Sequence, residues 1–227
     1  MAEPAPQPEL LRALGRLARG LSAVFWGLPL ALVICAQALQ TEWLRRLGIV
    51  PPVLVTGLLL YGVWLMGAFQ PQERVWMNSL NRTRLLALVN LGFSPFLYWW
   101  SQVPGNAYFV VAATAFAVTG VCFLASLNDS LQRLGAMLPD ETLRAETRQF
   151  TPVNRALLAV LLGFGALILV AQQADMRHPV LHRLVELAVR FHHGIFIALL
   201  LLPVAMTMAL IWKTKEVILE SVFGGHR

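Results

Sequence analysis

The stretch Arg155–Gln173 constrains the fold most strongly, because it is apolar and carries no charged residue between its two ends. As a helix it rises about 27 Å, which is close to the ~30 Å thickness of the hydrocarbon core of a bilayer. Charged residues make up only 13% of the whole chain, whereas they make up about a quarter of a soluble domain. The pattern predicts a helical protein that crosses a membrane.

Six apolar runs of similar length predict six membrane-spanning helices. They are residues 21–39, 49–69, 84–101, 107–127, 155–173 and 192–212. The Pro-rich start and the leucine pattern that follows it predict a disordered segment and an amphipathic helix within residues 1–20. Residues 213–227 predict a cytoplasmic tail. The predicted fold class is an all-α integral membrane protein with a single transmembrane domain, residues 21–212, and short interfacial or cytoplasmic helices.

Two of the connecting segments also predict helices. Pro139 interrupts a leucine-rich segment, and Asp140 then predicts the N-cap of a helix over Glu141–Phe150. On the other side of the membrane, Pro179 predicts the first residue of an interfacial helix over 179–190. Both helices are predicted as short elements that are separate from the neighbouring spans.

A repeated frame predicts that the six spans form three tandem hairpins. The frame is Arg-x-Leu-x-x-Val-x-x-Gly, followed by Gln ten residues after the glycine, and it occurs three times without gaps. Its arginines are Arg19, Arg84 and Arg155, its glycines are Gly27, Gly92 and Gly163, and its glutamines are Gln37, Gln102 and Gln173. The repeats cover about residues 19–70, 84–128 and 155–212, and they predict that the odd-numbered spans run in one direction.

Each column of the frame predicts a particular contact. The glycines predict close packing against a neighbouring helix. The arginines are expected to reach outward to lipid phosphate, and the alternative is that they converge on a bound anion. The glutamines, together with Asn90 in the third span, predict polar contacts either between helices or with a substrate.

The distribution of Arg and Lys predicts the topology. Thirteen of these residues lie in the termini and in two of the loops, and five lie in the other loops. The larger group is Arg12, Arg16, Arg19, Arg74, Arg82, Arg84, Arg133, Arg144, Arg148, Arg155, Lys213, Lys215 and Arg227. The side that is richer in Arg and Lys is normally cytoplasmic. We therefore expect a multi-pass protein of the cell membrane, most simply a bacterial inner membrane, with both termini in the cytoplasm.

The sequence offers no pattern for an enzyme, a cofactor or a metal site. His178, His182 and Glu186 follow one another at helical spacing, but Pro179 leaves His178 outside the predicted helix, so no metal is expected there. Ionisable side chains in the membrane are typical of ion and substrate pathways, and none lies between the ends of the predicted spans.

Two functions fit these observations. The first is an accessory, scaffold or interaction subunit of a membrane complex. The alternative is a channel or facilitator for a small neutral or anionic solute. The expected partners are the lipid bilayer and either other subunits or further copies of the chain, and no nucleic acid. A polar cleft that reaches Asn90 or the repeat glutamines would favour transport, whereas a filled bundle would favour the subunit.

Overall fold

The computed structural model of the protein describes the backbone of residues 8–37, 46–138, 140–173 and 179–223, and the side chains of 9, 11–37, 46–138, 140–167 and 197–220. Six α-helices form this part of the chain. They are α1 (Pro8–Gln37), α2 (Val50–Met66), α3 (Arg74–Gln102), α4 (Ala107–Met137), α5 (Glu141–Gln173) and α6 (Pro179–Phe223). The described residues contain no strand, so the all-helical class is confirmed.

Four of the helices contain segments that are long and apolar enough to cross a membrane. These segments are Leu11–Gln37, Ala107–Met137, Glu141–Leu167 and Ile197–Glu220. Helix α2 is apolar but has only 17 residues. Helix α3 has 29 residues, and arginines and polar side chains in its N-terminal half lower its hydropathy. A helix therefore lies at each of the six predicted positions, and four have the length and composition of a span.

Several helices are longer than predicted, because elements expected to be separate are continuous. The amphipathic segment before residue 21 belongs to α1, the helix expected over Glu141–Phe150 belongs to α5, and the helix expected over 179–190 belongs to α6. In α1 the reason is visible in the packing. Leu17, Leu21, Val24 and Leu28 are all buried, and at helical spacing they form one apolar stripe that runs through the predicted boundary.

Successive helices run antiparallel. In each adjacent pair, residues further along the first helix contact residues that lie earlier in the second helix. Helices α1 and α2 meet at Gly20–Met66 and Gly27–Leu59, and α2 meets α3 at Gly67–Arg84 and Gly57–Leu91. Helices α3 and α4 meet at Thr83–Ser126 and Phe96–Tyr108. Helices α4 and α5 meet at Asp129–Arg155 and Gly135–Thr147, and α5 meets α6 at Glu146–Lys213 and Asn154–Pro203. Helices α1, α3 and α5 therefore share one direction. Any up-and-down bundle has this property, so it follows from the connectivity whether or not the frame is a repeat.

One apolar cluster fills the bundle and receives buried side chains from all six helices. Helix α1 also contacts α6, through Phe25 and Trp212, so the first and last helices meet. The outer surface is apolar as well, since only 22–33% of the residues in the most apolar window of each of the four long segments are buried. A surface of this kind is expected when lipid rather than water surrounds the helices.

Candidate functional site

The alternating helix directions collect the charged residues at one end of the bundle. This charged end consists of the start of α1, the α2–α3 and α4–α5 connections with the adjoining helical turns, and the last turns of α6. Among the described side chains, every Arg, Lys, Asp and Glu lies there except Arg46. Basic residues outnumber acidic ones at this end. The larger group of basic residues read from the sequence, as far as its side chains are described, therefore lies at one end of the folded bundle.

The three repeat arginines at the charged end have three different partners. Arg19 is exposed, and its Nε donates to the carbonyl of Gly15 in its own helix at 3.3 Å. Arg84 turns toward α2, and Arg155 forms an ion pair with Asp129 of α4. The arginines thus engage α1, α2 and α4 separately, which is not the arrangement that a single shared anion requires.

Arg84 caps the C-terminal end of α2. Its Nη2 donates to the carbonyl of Trp64 at 3.1 Å, and its guanidinium carbon lies 5.2 Å from the centroid of the Trp64 ring. The last carbonyls of a helix lack partners within the helix and attract positive charge. Nη1 also donates to Oδ1 of Asn81 at 3.1 Å. The side chain of Arg84 was predicted to point outward to lipid phosphate. It points toward α2 instead, where the Trp64 carbonyl and indole ring contact its guanidinium group.

The repeat glycines differ in their surroundings. A Cβ atom at Gly27 would lie 2.7 Å from Cδ2 of Leu59, so this glycine has the close neighbour that was predicted. At Gly92 and Gly163 a Cβ atom would meet nothing within 4 Å, and both residues are exposed. Within the described chain, these two glycines therefore lack the close neighbour helix that was predicted. The buried faces of α3 and α5 contain Asn90 and Leu161, and two residues along a helix is a rotation of about 200° to the opposite face.

One close approach between helices α1 and α2 involves glycines outside the arginine frame. A Cβ atom at Gly20 would lie 2.7 Å from the carbonyl oxygen of Gly62, and one at Gly62 would lie 2.9 Å from the carbonyl oxygen of Gly20. Helices α1 and α2 therefore touch backbone to backbone at this level, which only glycine permits.

The frame glutamines and Asn90 were predicted to make polar contacts. Gln102 is the last helical residue of α3, and the structure describes α1 as far as Gln37 and α5 as far as Gln173. The side chain of Gln173 lies outside the described residues. Asn90 is buried, and its Oδ1 accepts a hydrogen bond from the Thr119 hydroxyl of α4 at 2.8 Å. This contact is the helix–helix alternative of the two that the sequence allowed for Asn90.

Two polar clusters were not predicted as sites. In the first, hydroxyl groups of α3 and α4 bond to one another at 2.8–3.0 Å, and they belong to Ser79, Thr83, Ser126 and Ser130. The second joins Asn128 of α4, Asn154 of α5 and Thr207 of α6, all fully buried. The signal in the sequence was a lone amide or hydroxyl in an apolar helix, which must find a partner on another helix.

An open groove of about 510 Å³ lies between α1 and α6. Its lining includes Phe25, Ala205, Met208, Ala209, Trp212 and Lys213. The groove is mainly apolar, and neither Asn90 nor the Asn128–Asn154–Thr207 cluster lines it. Among the described side chains, no group of three His, Cys, Asp or Glu residues could hold a metal ion. His178 lies outside the described residues, and so does the side chain of His182.

No protein-family model, curated protein or solved structure matches this chain.

Proposed function

We propose that this chain is a six-span protein of the cell membrane that acts as an accessory, scaffold or interaction subunit of a membrane complex. The observation that supports this proposal is the filled interior, in which one apolar cluster takes side chains from all six helices. Buried polar groups bond to neighbouring helices, as Asn90 bonds to Thr119. A bundle of this kind offers its outer surface, rather than a path through its centre, for function.

The membrane assignment has two supports. Most residues in the apolar windows of the four long segments are not buried, and every described charged side chain except that of Arg46 lies at one end of the bundle. Helix α2 has 17 residues and rises about 26 Å, which is enough for a span when the ends reach into the headgroups. The charged end is proposed to lie in the cytoplasm with both termini. A reporter fused after Arg227 tests this orientation. A reporter that works only in the cytoplasm should be active there, and one that works only in the periplasm should be inactive.

The three-hairpin repeat is part of the proposal. One support is that α3 ends at the frame residue Gln102. The copies differ in packing, since Gly27 contacts Leu59 whereas Gly92 and Gly163 have open surroundings. We infer that the frame marks where odd-numbered helices enter and leave the membrane, and that it does not specify which faces meet.

The face of α5 is the best candidate for contact with another membrane helix. The most apolar window of this helix is the least buried of the four, at 22%. The small residues Ala156, Ala159, Gly163 and Ala166 are all exposed and share one helical face. Small residues let two helices approach closely in a membrane, where van der Waals packing drives association. A partner subunit with a complementary helix is therefore proposed to pack here.

The transport alternative has less support in the described residues. A channel for an anion would be favoured by arginines that converge, and Arg19, Arg84 and Arg155 engage different helices. A path for a neutral solute would be favoured by a cleft at Asn90, and Oδ1 of Asn90 instead accepts a hydrogen bond from the Thr119 hydroxyl of the neighbouring helix.

Purification from native membranes in lipid nanodiscs tests the proposal. We expect another membrane protein to co-purify in constant ratio with the chain, and proteoliposomes of the chain alone to show no flux of small sugars, glycerol or chloride. The double variant Ala159→Leu, Gly163→Leu should lose the partner without unfolding, because both positions are exposed. Val111→Leu, at an exposed position on α4, is the control. Solute flux together with no co-purifying protein would favour the transport alternative.

A further inference from the structure

A buried polar cluster joins α4, α5 and α6. Asn128, Asn154 and Thr207 each contribute one side chain, and all three residues have no exposed surface. Asn128 and Asn154 immediately precede Asp129 and Arg155, which form the ion pair between α4 and α5. The cluster therefore lies at the level of that ion pair, on the inner faces of the helices.

All hydrogen-bond donors of the three side chains are used. Nδ2 of Asn128 donates to the carbonyl of Leu124 at 2.8 Å and to Oγ1 of Thr207 at 2.9 Å. Nδ2 of Asn154 donates to Oγ1 of Thr207 at 3.1 Å and to the carbonyl of Pro203 at 3.4 Å. The Thr207 hydroxyl donates to the same Pro203 carbonyl at 2.7 Å. An amide has two N–H groups and a hydroxyl has one, so no donor is left over.

The two backbone carbonyls determine which way each amide points. If the amide of Asn128 were turned over, its oxygen would face the Leu124 carbonyl, and two acceptors would meet. The same holds for Asn154 and the Pro203 carbonyl. The nitrogen atoms must therefore face these carbonyls, and the oxygen atoms point away from them.

The two amide oxygens are acceptors without a donor. Oδ1 of Asn128 and Oδ1 of Asn154 are both buried, and neither receives a hydrogen bond from the part of the chain that the structure describes. Both amide nitrogens donate to Oγ1 of Thr207, at 2.9 Å and 3.1 Å. The oxygen and nitrogen of one amide are about 2.3 Å apart, so each oxygen lies within about 5.4 Å of that hydroxyl. Buried polar atoms in native proteins are nearly always paired, so these two atoms indicate a ligand.

We propose that one internal water molecule binds between Oδ1 of Asn128 and Oδ1 of Asn154. The ligand must donate, because the cluster has no free donor, and this excludes an anion. Water supplies two O–H groups for two acceptors. A hard metal cation takes six or more oxygen ligands, and the Pro203 carbonyl already accepts two hydrogen bonds. The water connects α4 to α5, and Thr207 connects both to α6 beside Pro203.

A structure of the full chain in lipid nanodiscs, at a resolution that shows internal waters, tests this inference. We expect density within about 3.2 Å of both amide oxygens. The structure of Asn154→Leu should lack this density, because the variant removes one of the two oxygens that accept from the water. The hydrogen bond between Ser79 and Ser130 should be retained, which shows that the variant is folded. Density that persists in the variant would overturn the bridging position. If the variant does not fold, the structure of the unchanged protein decides, since both oxygens facing only apolar atoms there would overturn the inference.

A thermal unfolding measurement separates water from a cation. The unchanged protein is compared in sodium chloride, potassium chloride and choline chloride at equal ionic strength. A site for water predicts the same Tm in all three salts. A Tm that is higher in one metal salt than in choline chloride would overturn the inference, because a ligand bound only to the native state raises Tm.

Discussion

The guanidinium group of Arg84 occupies the space that a side chain at Gly67 would need. Gly67 follows the last residue of α2, and its backbone is helical, with φ −72°, so alanine could adopt this conformation without strain. The glycine is required by the position of Arg84 and not by its own backbone.

A double-mutant cycle tests this dependence of Gly67 on Arg84. We expect Gly67→Ala to lower the free energy of unfolding by about 1 kcal/mol, because the methyl group displaces Arg84 from the Trp64 carbonyl. In an Arg84→Ala background the same change should raise it by about 0.5 kcal/mol, since alanine restricts the unfolded chain. The measurement is reversible unfolding in detergent. An equal effect of Gly67→Ala in both backgrounds would show that the two residues act independently.

The contact between Gly20 and Gly62 predicts which glycines resist substitution. Gly20→Ala or Gly62→Ala places a methyl group against a backbone carbonyl that cannot move alone. We expect each to lower the free energy of unfolding by about 1–3 kcal/mol.

Gly92→Ala and Gly163→Ala are the matched controls for these variants. A Cβ atom at either position meets nothing within 4 Å, so alanine should be neutral or should stabilise the helix by up to about 1 kcal/mol. If the controls destabilise the protein as much as Gly20→Ala does, the helices pack differently from this description.

Asp140 predicts a pH-dependent contribution to stability. Its Oδ1 accepts hydrogen bonds from the Thr142 hydroxyl at 2.7 Å, from the backbone N–H of Thr142 at 2.8 Å and from that of Leu143 at 3.2 Å. The hydrogen bond from the Thr142 hydroxyl is the largest cause that holds the pKa of Asp140 below its ordinary value of 3.8. Because the folded pKa is the lower one, the contribution is complete above 3.8 and is lost as the pH falls through the folded pKa.

The variant Asp140→Ala should therefore lower Tm at neutral pH, and the difference from the unchanged protein should shrink as the pH falls below 3.8. Asp140→Asn is the control, because asparagine also caps helices but does not titrate. Its Tm should stay near that of the unchanged protein at neutral pH. A deficit of Asp140→Ala that is the same at every pH would contradict the role of the carboxylate.

The sequence predicted positions along the helices better than the faces that meet. Apolar length placed a helix at each of the six positions, Asp140 was correctly predicted as a cap, and α3 ends at the frame residue Gln102. The frame could not predict that Gly27 is covered while Gly92 is open, because rotation about a helix axis depends on its neighbours. The cluster of Asn128, Asn154 and Thr207 was missed for a related reason: each residue is a lone polar group in its own helix, and only packing unites them.

Photo-crosslinking in native membranes tests whether α5 packs against a partner subunit. A photoreactive residue replaces Val160 on the exposed face of α5, and in a second protein it replaces Val111 on α4. The two valines are 55% and 67% exposed, so they are comparable reporters. We expect a discrete protein adduct from position 160 and only lipid adducts from position 111. Lipid adducts alone from both positions would contradict this expectation.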